Sequence, residues 1–371
     1  MNLVLKMGVC NIMSAPVYII VLLSAFFIAY LSMPGVIKIA YRIGAIDQPD
    51  QRKVHSGKMP RLGGMSIFLA FIFSMIILQK YSGPYLGIIL GASIVFLVGL
   101  LDDIFQLSAG VKLLGQSLAA AVAIYFGVMV HFVTNPFDGL MALGYFSIPL
   151  TFLWIVGISN AINLIDGLDG LAAGVSAIAA ITMGVVSLLQ GQVEVALVAF
   201  LLLASILGFL PYNFNPARTF MGDCGSNLLG FILGCLAILG TAKSATLISL
   251  LLPIVILGIP IFDTFFAIIR RINKRTPIFK PDKDHLHHCL LAMGMSHRNC
   301  VLVIYGISGF FGLVAIFFSF ITSPKASLLL GLLLILVVLG ASKIGMFSGS
   351  SARMARQVIE PNSSAKISEH I

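Results

Sequence analysis

The chain has 371 residues, of which 59% are hydrophobic and 10% are charged, and its mean hydropathy is +1.05. This composition excludes an ordinary soluble globular protein and predicts an all-α polytopic integral membrane protein. The net charge of +9 suits a cytoplasmic membrane surface and anionic ligands, and it gives no reason to expect a nucleic-acid partner. The five cysteines form no CxxC pair and are expected to be scattered thiols.

Apolar segments recur along the chain, and a helix of about 20 residues crosses a bilayer core of about 30 Å. The fifth segment is short and is expected to continue into the polar stretch that follows it. The first lacks a small-residue cleavage site, so we do not expect a cleaved signal peptide. We predict eleven spans, at 16–37, 65–79, 85–101, 115–133, 147–159, 172–190, 193–210, 228–240, 246–269, 300–321 and 327–343.

Lys and Arg fall unevenly on the connections between these spans. If the N-terminus is outside, the inside segments hold 19 of the 23 Lys and Arg residues, with Lys343 counted inside. This bias predicts that orientation and a cytoplasmic C-terminus. We expect residues 1–345 to form one transmembrane catalytic domain and 346–371 to form a mobile cytoplasmic tail. The cytoplasmic loops predicted to build the site are 38–64, 102–114, 160–171, 211–227 and 270–299.

The stretch 159–171 is the most unusual polar segment in this apolar chain. Asn160, Asn163 and Asp166 are spaced by three, and Asp169 follows at the same interval. This spacing places neighbours on one face of a helix. The alternative is a polar turn between two spans, which has no use for two aligned acids. Which of the two acids contacts a ligand, and which only braces the loop, stays open.

Two adjacent acids, Asp102 and Asp103, stand at the end of the third span. Acids at a membrane boundary are costly unless they are paired, hydrated or metal-bound, and repulsion between neighbours favours protonation of one of them. They suit either a catalytic base for a phosphate substrate or a Mg²⁺ site. The alternative is a solvated cap on the span. Lys112 is available as a counter-charge.

Asp223 stands between small residues immediately before an apolar helix. Backbone N–H groups at that helix start are able to hold a phosphate while Asp223 holds its cation. Phe220 is a candidate platform for stacking a base. The alternative is that Asp223 or Ser226 simply caps the helix.

Two further positions carry charge close to predicted span ends. Arg61 lies in a basic loop that ends in two glycines, Gly63 and Gly64, which allow close approach at a helix start where phosphate is favoured. A role in topology alone is the alternative for this loop. Asp263 lies inside the ninth span, where an ionisable residue indicates either a site role or a structural polar contact.

A histidine cluster occupies the longest and most basic inside loop. Partly protonated His285, His287 and His288 beside Lys and Arg would suit a pyrophosphate. Structural zinc and simple solvation are the alternatives, although no Cys or second His pair stands at zinc-finger spacing.

Every acidic or histidine cluster thus falls on a segment that the Lys and Arg distribution assigns to the cytoplasm. This agreement predicts one composite site at the membrane surface, suited to Mg²⁺ and a phosphate-bearing substrate. A multispan transporter or flippase is the rival from another class, but transporters place charges near the midplane and often carry inverted repeats. We find no convincing internal repeat. A membrane zinc hydrolase is a third reading.

Five motifs give the chain a resemblance to the polyprenyl-phosphate N-acetylhexosamine-1-phosphate transferases, glycosyltransferase family 4, over about residues 16–345. Cys224 departs from the family, which commonly has Thr or Ser there. The Pro-Arg-Leu-Gly-Gly and Asp-His-Leu-His-His forms resemble the branch that uses UDP-GlcNAc and undecaprenyl phosphate. Phospho-MurNAc-pentapeptide translocases usually have Pro-Thr-Met-Gly-Gly, a Pro-Leu-His-His-His form and ten spans. The motifs are Lys53-Val-His with Pro60-Arg-Leu-Gly-Gly64, Leu101-Asp-Asp103, Asn160-Ala-Ile-Asn-Leu-Ile-Asp-Gly-Leu-Asp-Gly170, Phe220-Met-Gly-Asp-Cys-Gly-Ser226 and His285-Leu-His-His288.

The resemblance implies transfer of GlcNAc-1-phosphate from UDP-GlcNAc to undecaprenyl phosphate, with Mg²⁺ as cofactor and Mn²⁺ as a substitute. It implies a bacterial cytoplasmic membrane enzyme, with a homodimer allowed for. Asp102 would bind or deprotonate the lipid phosphate beside Asp103. Asp223 would bind the metal with Asn163, and Phe220 would stack on uracil. The residues expected to line the substrates are Asn160, Asp166, Asp169, Arg61, Asp263, His285, His287 and His288.

Overall fold

The computed structural model describes residues 15–47, 58–135, 139–242, 251–277, 284–321, 330–332 and 335. Seven of its helices are long and apolar enough to cross a bilayer, so the protein is a helical multi-pass membrane protein. The helices are α1 (Ala15–Ile43), α2 (Gly64–Ile77), α3 (Gly83–Phe105), α4 (Ala109–Tyr125), α5 (Ser147–Ile165), α6 (Leu171–Leu189), α7 (Val193–Asn213), α8 (Asp223–Ala242), α9 (Leu251–Ile256), α10 (Gly258–Asn273), α11 (Leu286–Ala292) and α12 (His297–Ser319).

Two short antiparallel strand pairs interrupt the helical fold, which the all-α expectation does not include. Strand β1 (Ile46–Asp47) pairs with β2 (Met59–Pro60) directly before α2. Strand β3 (Phe132–Asn135) pairs with β4 (Gly139–Ala142) between α4 and α5. The first pair fixes the backbone that leads into the site, and the second lies at the opposite end of the helices.

The first eight predicted spans each coincide with a helix of the structure, with shifted ends. Helix α4 begins at Ala109, before the predicted 115. It ends before the predicted 133 because the chain turns at Gly127, whose φ is +97°, and continues into β3. Helix α5 runs on to Ile165, which confirms that the fifth span continues into the polar stretch.

The ninth predicted span is wrong as a single helix, since it divides into α9 and α10 at Leu257. Pro260 lies in the first turn of α10 and has no N–H for the helical ladder, which a first turn tolerates but a continuous helix does not. The tenth span is α12, which begins three residues before the predicted start. Most of the eleventh predicted span and all of the predicted tail lie outside the described residues.

Helix α8 is the central helix of the bundle. Within its membrane span 83% of the residues are buried, compared with 28% in α1 and 39% in α3. Small residues let its neighbours approach, as is usual between membrane helices. A Cβ on Gly230 would lie 2.6 Å from Cα of Ser159 on α5, and a Cβ on Gly99 of α3 would lie 2.5 Å from Cα of Cys224. The start of α8 is therefore held at a fixed place among its neighbours.

Candidate active site

Asp103 joins three separate segments of the chain. Its Oδ1 accepts hydrogen bonds from Arg61 Nε at 3.1 Å and from the backbone N–H of Asp223 at 2.9 Å, while its Oδ2 accepts from the N–H of Cys224 at 3.0 Å. Arg61 Nη2 also lies 3.0 Å from Oδ1, and the Asp103 side chain has no exposed surface. Asp103 thus supplies the N-terminal cap of α8 from α3, where the helix dipole favours negative charge.

The starts of α2 and α8 do not offer the free N–H groups that the sequence led us to expect for phosphate. At α8 the first two N–H groups bind Asp103, and those of Gly225 and Ser226 donate to the Gly222 carbonyl. At α2 the N–H groups of Gly63 and Gly64 donate to the carbonyls of Phe220 and Met221 at 3.0 and 2.8 Å. The close approach predicted for these glycines is confirmed, but their partner is the protein backbone.

We call the contacts of Asp103 with Arg61 and with the N–H groups of Asp223 and Cys224 the clamp. Gly222 turns the chain into α8 against both Arg61 and Asp103. Its φ is +76°, a conformation that favours glycine. A Cβ there would overlap the Arg61 carbonyl and would lie 2.5 Å from Asp103 Oδ2. The chain therefore needs a residue without a side chain at this position.

Lys112 on α4 binds the carboxylates of both Asp102 and Asp223. Its Nζ lies 2.8 Å from Asp223 Oδ2 and 3.1 Å from Asp102 Oδ2, which confirms it as a counter-charge to Asp102. The Asp223 carboxylate also has Arg61 Nη2 at 3.8 Å from its Oδ1, and 18% of its side chain is exposed. Asp102 and Asp223 therefore share one lysine, and Asp223 and Lys112 keep part of their side chains exposed while Asp102 is buried.

Asn163 and Asp166 flank this cluster from the end of α5. Asn163 donates through Nδ2 to Ser226 Oγ at 2.8 Å, which leaves its Oδ1 as an acceptor. Burial, and then the negative charges of Asp223 and Asp103, raise the pKa of Asp166 to about 8. The Asp166 carboxylate makes no hydrogen bond or ion pair with another residue in the ranges that the structure describes. Its surroundings thus carry an excess of negative charge that a cation would relieve.

Asp169 braces the loop between α5 and α6. Its Oδ2 accepts hydrogen bonds from Asn215 Nδ2 at 3.0 Å and from the N–H of Ala217 at 3.1 Å, and its own N–H donates to His297 Nε2 at 2.9 Å. Tyr305 on α12 donates to the Gly170 carbonyl from the other side. These contacts favour Asp169 as the bracing acid and Asp166 as the acid that contacts a ligand.

Isosteric variants separate these two roles. We expect Asp166→Asn to lower kcat/KM by about 100-fold, because a bound cation would ionise the Asp166 carboxyl and an amide cannot supply that charge in a preorganised site. Asp169→Asn is expected to cost no more than about fivefold, because an amide oxygen at Oδ2 still accepts both hydrogen bonds with less charge. Steady-state kinetics on the purified proteins measures both. Equal losses in the two variants would contradict the division of roles.

Asp263 organises the histidine segment. Its Oδ2 lies 2.8 Å from His285 Nδ1, and its Oδ1 accepts the N–H of Leu286 at 2.8 Å, at the start of α11. The sequence left a site role and a structural contact open for Asp263, and its two contacts support the structural one. His285 is itself buried, so this pair fixes α11 against α10.

The three histidines differ in their surroundings. His288 is exposed, whereas His287 is buried, and a Cβ on Gly167 would lie 2.5 Å from His287 Nε2. Burial, and then the neighbouring His288, lower the pKa of His287 to about 3. The expectation of a partly protonated ring is therefore wrong for His287, which packs as a neutral ring against the loop that carries Asp166.

Asn160, predicted to contact substrate, lies in a buried amide chain that the sequence analysis missed. Asn160 Nδ2 donates to Gln116 Oε1 at 2.7 Å, and Gln116 Nε2 donates to Asn227 Oδ1 at 2.7 Å. Gln116 follows Lys112 by four residues and Asn227 follows Asp223 by four, the spacing of neighbours on one helix face. Amides at that spacing inside apolar helices were the available signal.

Phe220 lies beside the clamp and is half-buried. Its N–H donates to the Pro60 carbonyl at 2.8 Å, and its carbonyl accepts the N–H of Gly63. These backbone contacts hold Phe220 next to Arg61. The position agrees with the predicted stacking platform for a base, which stays a prediction.

Zinc has no suitable site in the part of the chain that the structure describes. No group of three or more His, Cys, Asp or Glu side chains there has an arrangement that could hold a metal ion. A catalytic zinc needs three such protein ligands, whereas Mg²⁺ keeps several waters and binds one or two carboxylates and the substrate's phosphates. The oxygen donors around Asp223 match the second pattern. The four described cysteines are free thiols, as expected.

Comparison with known proteins agrees with this geometry. The family model for glycosyl transferase family 4 matches residues 85–241, which include the acids and amides of the site but not Arg61 or the histidines. A probable undecaprenyl-phosphate N-acetylglucosaminyl 1-phosphate transferase of Bacillus subtilis is 46% identical over 328 residues, 87% of this chain and 92% of that protein.

Two more distant relatives carry related names. A decaprenyl-phosphate N-acetylglucosaminephosphotransferase of Mycobacterium tuberculosis is 35% identical over 84% of this chain and 85% of its own length. An undecaprenyl-phosphate alpha-N-acetylglucosaminyl 1-phosphate transferase of Escherichia coli is 30% identical over 76% of this chain and 79% of its own length. With these matches along most of its length, and with the acids of the family motifs gathered in one site, the chain belongs to glycosyl transferase family 4.

Proposed function

We propose that this protein transfers GlcNAc-1-phosphate from UDP-GlcNAc to undecaprenyl phosphate, giving undecaprenyl-diphospho-GlcNAc and UMP. The observation that carries the proposal is that Asp102 and Asp223 both bind Lys112 while Asp166 feels the charge of Asp223, in a chain whose relatives bear the name of this reaction. The product would open the membrane phase of a surface polysaccharide, such as teichoic acid, O-antigen or common antigen.

In this reaction an oxygen of the lipid phosphate attacks the phosphorus that carries the sugar. The bond from that phosphorus to the oxygen of the UMP phosphate breaks, and UMP leaves with the electron pair. Such transfers gain most from positioning and from neutralising charge, since the protein has little covalent chemistry to perform. Lys112 and Arg61 supply fixed positive charge for these phosphates, and the clamp at Asp103 holds both the arginine and α8 in place.

The donor set fits Mg²⁺, with Mn²⁺ as a substitute. Asp223, the Oδ1 of Asn163 and Asp166 offer hard oxygen ligands, and burial followed by the charges of Asp223 and Asp103 raises the pKa of Asp166. A bound Mg²⁺ would supply neutralisation of the diphosphate and stabilisation of the departing UMP. Lys112 balances the carboxylates of Asp102 and Asp223.

We assign Asp102 to the lipid phosphate, as its base or as a transient nucleophile. Asp103 was predicted beside it as a catalytic residue, but four N–H donors and full burial of the side chain favour a positioning role. A carboxylate with those contacts has no access to a reacting atom. Substrate contacts by Phe220, Arg61 and the histidines remain part of the proposal.

The location of the site at one end of the helices also bears on the orientation of the protein in the membrane. The clamp, the Lys112 pairs and the braces of Asp169 join residues that lie at one end of the helices, and these are segments assigned to the cytoplasm by Lys and Arg. We therefore propose eleven spans in a bacterial cytoplasmic membrane, with the N-terminus outside and the site on the cytoplasmic side. Acids at helix ends instead of the midplane argue against a transporter. Homodimerisation stays a prediction.

A donor panel tests the function. Purified protein with undecaprenyl phosphate and Mg²⁺ is expected to release UMP from UDP-GlcNAc, and excess EDTA should abolish release until Mg²⁺ is restored. UDP-MurNAc-pentapeptide, UDP-GalNAc and other UDP-N-acetyl sugars serve as competing donors. Faster turnover with one of them would reassign the donor, while absence of UMP release with all donors would overturn the transferase proposal.

A further inference from the structure

Two parallel layers of polar contacts join α4 to α8. In the outer layer Lys112 Nζ lies 2.8 Å from Asp223 Oδ2. One helical turn further along both helices, Gln116 Nε2 donates to Asn227 Oδ1 at 2.7 Å. Gln116 and Asn227 are each only 4% exposed, so this second layer is out of reach of a hydrophilic substrate. Any effect of the inner layer on the reaction must therefore pass through the positions of Lys112 and Asp223.

The direction of the inner hydrogen bonds is set by the backbone of Asp223. Asn227 Nδ2 donates to the Asp223 carbonyl at 2.9 Å, so its Oδ1 must face Gln116 as an acceptor. Gln116 Nε2 donates to that Oδ1, and Gln116 Oε1 accepts a hydrogen bond from Asn160 Nδ2 at 2.7 Å. Position 116 thus needs a donor toward α8 and an acceptor toward α5 at the same time.

We propose that Gln116 is a positioning residue for the transfer reaction, setting the place of Asp223 relative to Lys112 through Asn227. The inference rests on the proposed function and adds a residue that contacts no reacting atom. Its basis is the cost of a buried polar group without a partner, which α8 would avoid by moving. A displacement of α8 moves Asp223, because Asn227 is bonded to the Asp223 carbonyl.

The isosteric variant Gln116→Glu tests this directly. Its carboxylate still accepts from Asn160 but turns a second oxygen toward the Asn227 Oδ1. We expect kcat at pH 8 to fall by about tenfold or more, because an acceptor pair replaces a buried hydrogen bond. Half-maximal activity should also need more Mg²⁺.

A pH profile gives the variant a specific signature. A protonated glutamic acid donates from one oxygen and accepts at the other, as glutamine does. The ratio of variant to wild-type kcat should therefore rise as the pH falls. Lys112, Asp102 and Asp223 face this region in both the variant and the wild type. Their own titration therefore affects both kcat values and cancels in the ratio. Gln116→Met, which neither donates nor titrates, should lose activity without recovering at low pH.

A matched control exists at the other end of α8. Gln192 Nε2 donates to the Gly240 carbonyl at 2.8 Å, and the residue is buried. Gln192→Glu places the same isosteric acid against α8 but far from Asp223. It is expected to lower the thermal midpoint while leaving kcat, Mg²⁺ dependence and the pH ratio unchanged.

The outcomes separate the inference from the function on which it rests. Wild-type kcat in Gln116→Glu across the pH range, or an equal loss of kcat in Gln192→Glu, would overturn the positioning role alone. A wild-type protein that releases no UMP would overturn the proposed function and the inference with it. If Gln116→Glu does not fold, Gln116→Met decides. Wild-type kcat and a wild-type Mg²⁺ requirement in Gln116→Met would overturn the positioning role of Gln116.

Discussion

Asp223→Asn is expected to lower GlcNAc-1-phosphate transfer on the order of 1,000-fold, which corresponds to the several kcal/mol supplied by charge neutralisation at a metal site. The exchange keeps the volume of the side chain and removes its charge. The Asp223 carboxylate contacts Lys112 at 2.8 Å and lies within 3.8 Å of Arg61, so both cations lose a partner together with the proposed metal. UMP release from UDP-GlcNAc by the purified variant measures the loss.

The matched control for this variant is Glu194→Gln. Glu194 forms an exposed ion pair with Lys80 at 2.6 Å, between the start of α7 and the end of α2, away from the site. Exposed pairs of this kind contribute about 0–1 kcal/mol, so transfer should stay at the wild-type rate. Undiminished turnover in Asp223→Asn would remove Asp223 from the reaction.

Gly222→Ala is expected to destabilise the protein by about 3 kcal/mol or more, because backbone strain and overpacking add at this position. The new Cβ would meet the Arg61 carbonyl and Asp103 Oδ2, the two groups that hold the start of α8. Relief of that overlap requires the clamp to open. We therefore expect a lower thermal midpoint in detergent and loss of activity in the fraction that still folds.

Gly191→Ala separates strain from overlap. Gly191 has φ +75°, nearly that of Gly222, but a Cβ there would meet nothing within 4 Å. The conformation alone costs about 1–2 kcal/mol in an L-residue, so this variant should be mildly less stable and fully active. If the two alanine variants had equal midpoints and activities, the close packing around Gly222 would not matter.

Much of the architecture could be predicted because a bilayer imposes simple rules. Apolar runs of helical length gave the helices, and acids such as Asp102 and Asp166 stood out because charge is costly in an apolar chain. The structure places Asp102 and Asp223 on one lysine with Asp166 near Asp223, and the assignment of all three to cytoplasmic segments had predicted one composite site. The pairing of Lys112 with Asp102 also followed from charge alone.

The remainder depends on tertiary contacts that no local pattern encodes. The cap of α8 comes from Asp103 on another helix, 120 positions earlier, so the local capping rule pointed to the wrong residues. The neutral state of His287 arises from burial, which spacing does not reveal. The contacts of Gln116 with Asn227 and Asn160 are likewise decided by neighbouring helices.

Arg61 has a consequence for how the protein is made. Under the proposed orientation it is one of the charges that retain its loop on the cytoplasmic side during insertion, before the bundle exists. Once α3 and α8 have assembled, the same guanidinium forms an ion pair with Asp103 and lies near Asp223. Biogenesis needs only positive charge at this place, whereas the folded site needs the planar fork of an arginine. Arg61 therefore serves both membrane insertion and the active site. The active site is the stricter of the two, because lysine would satisfy insertion but not the site.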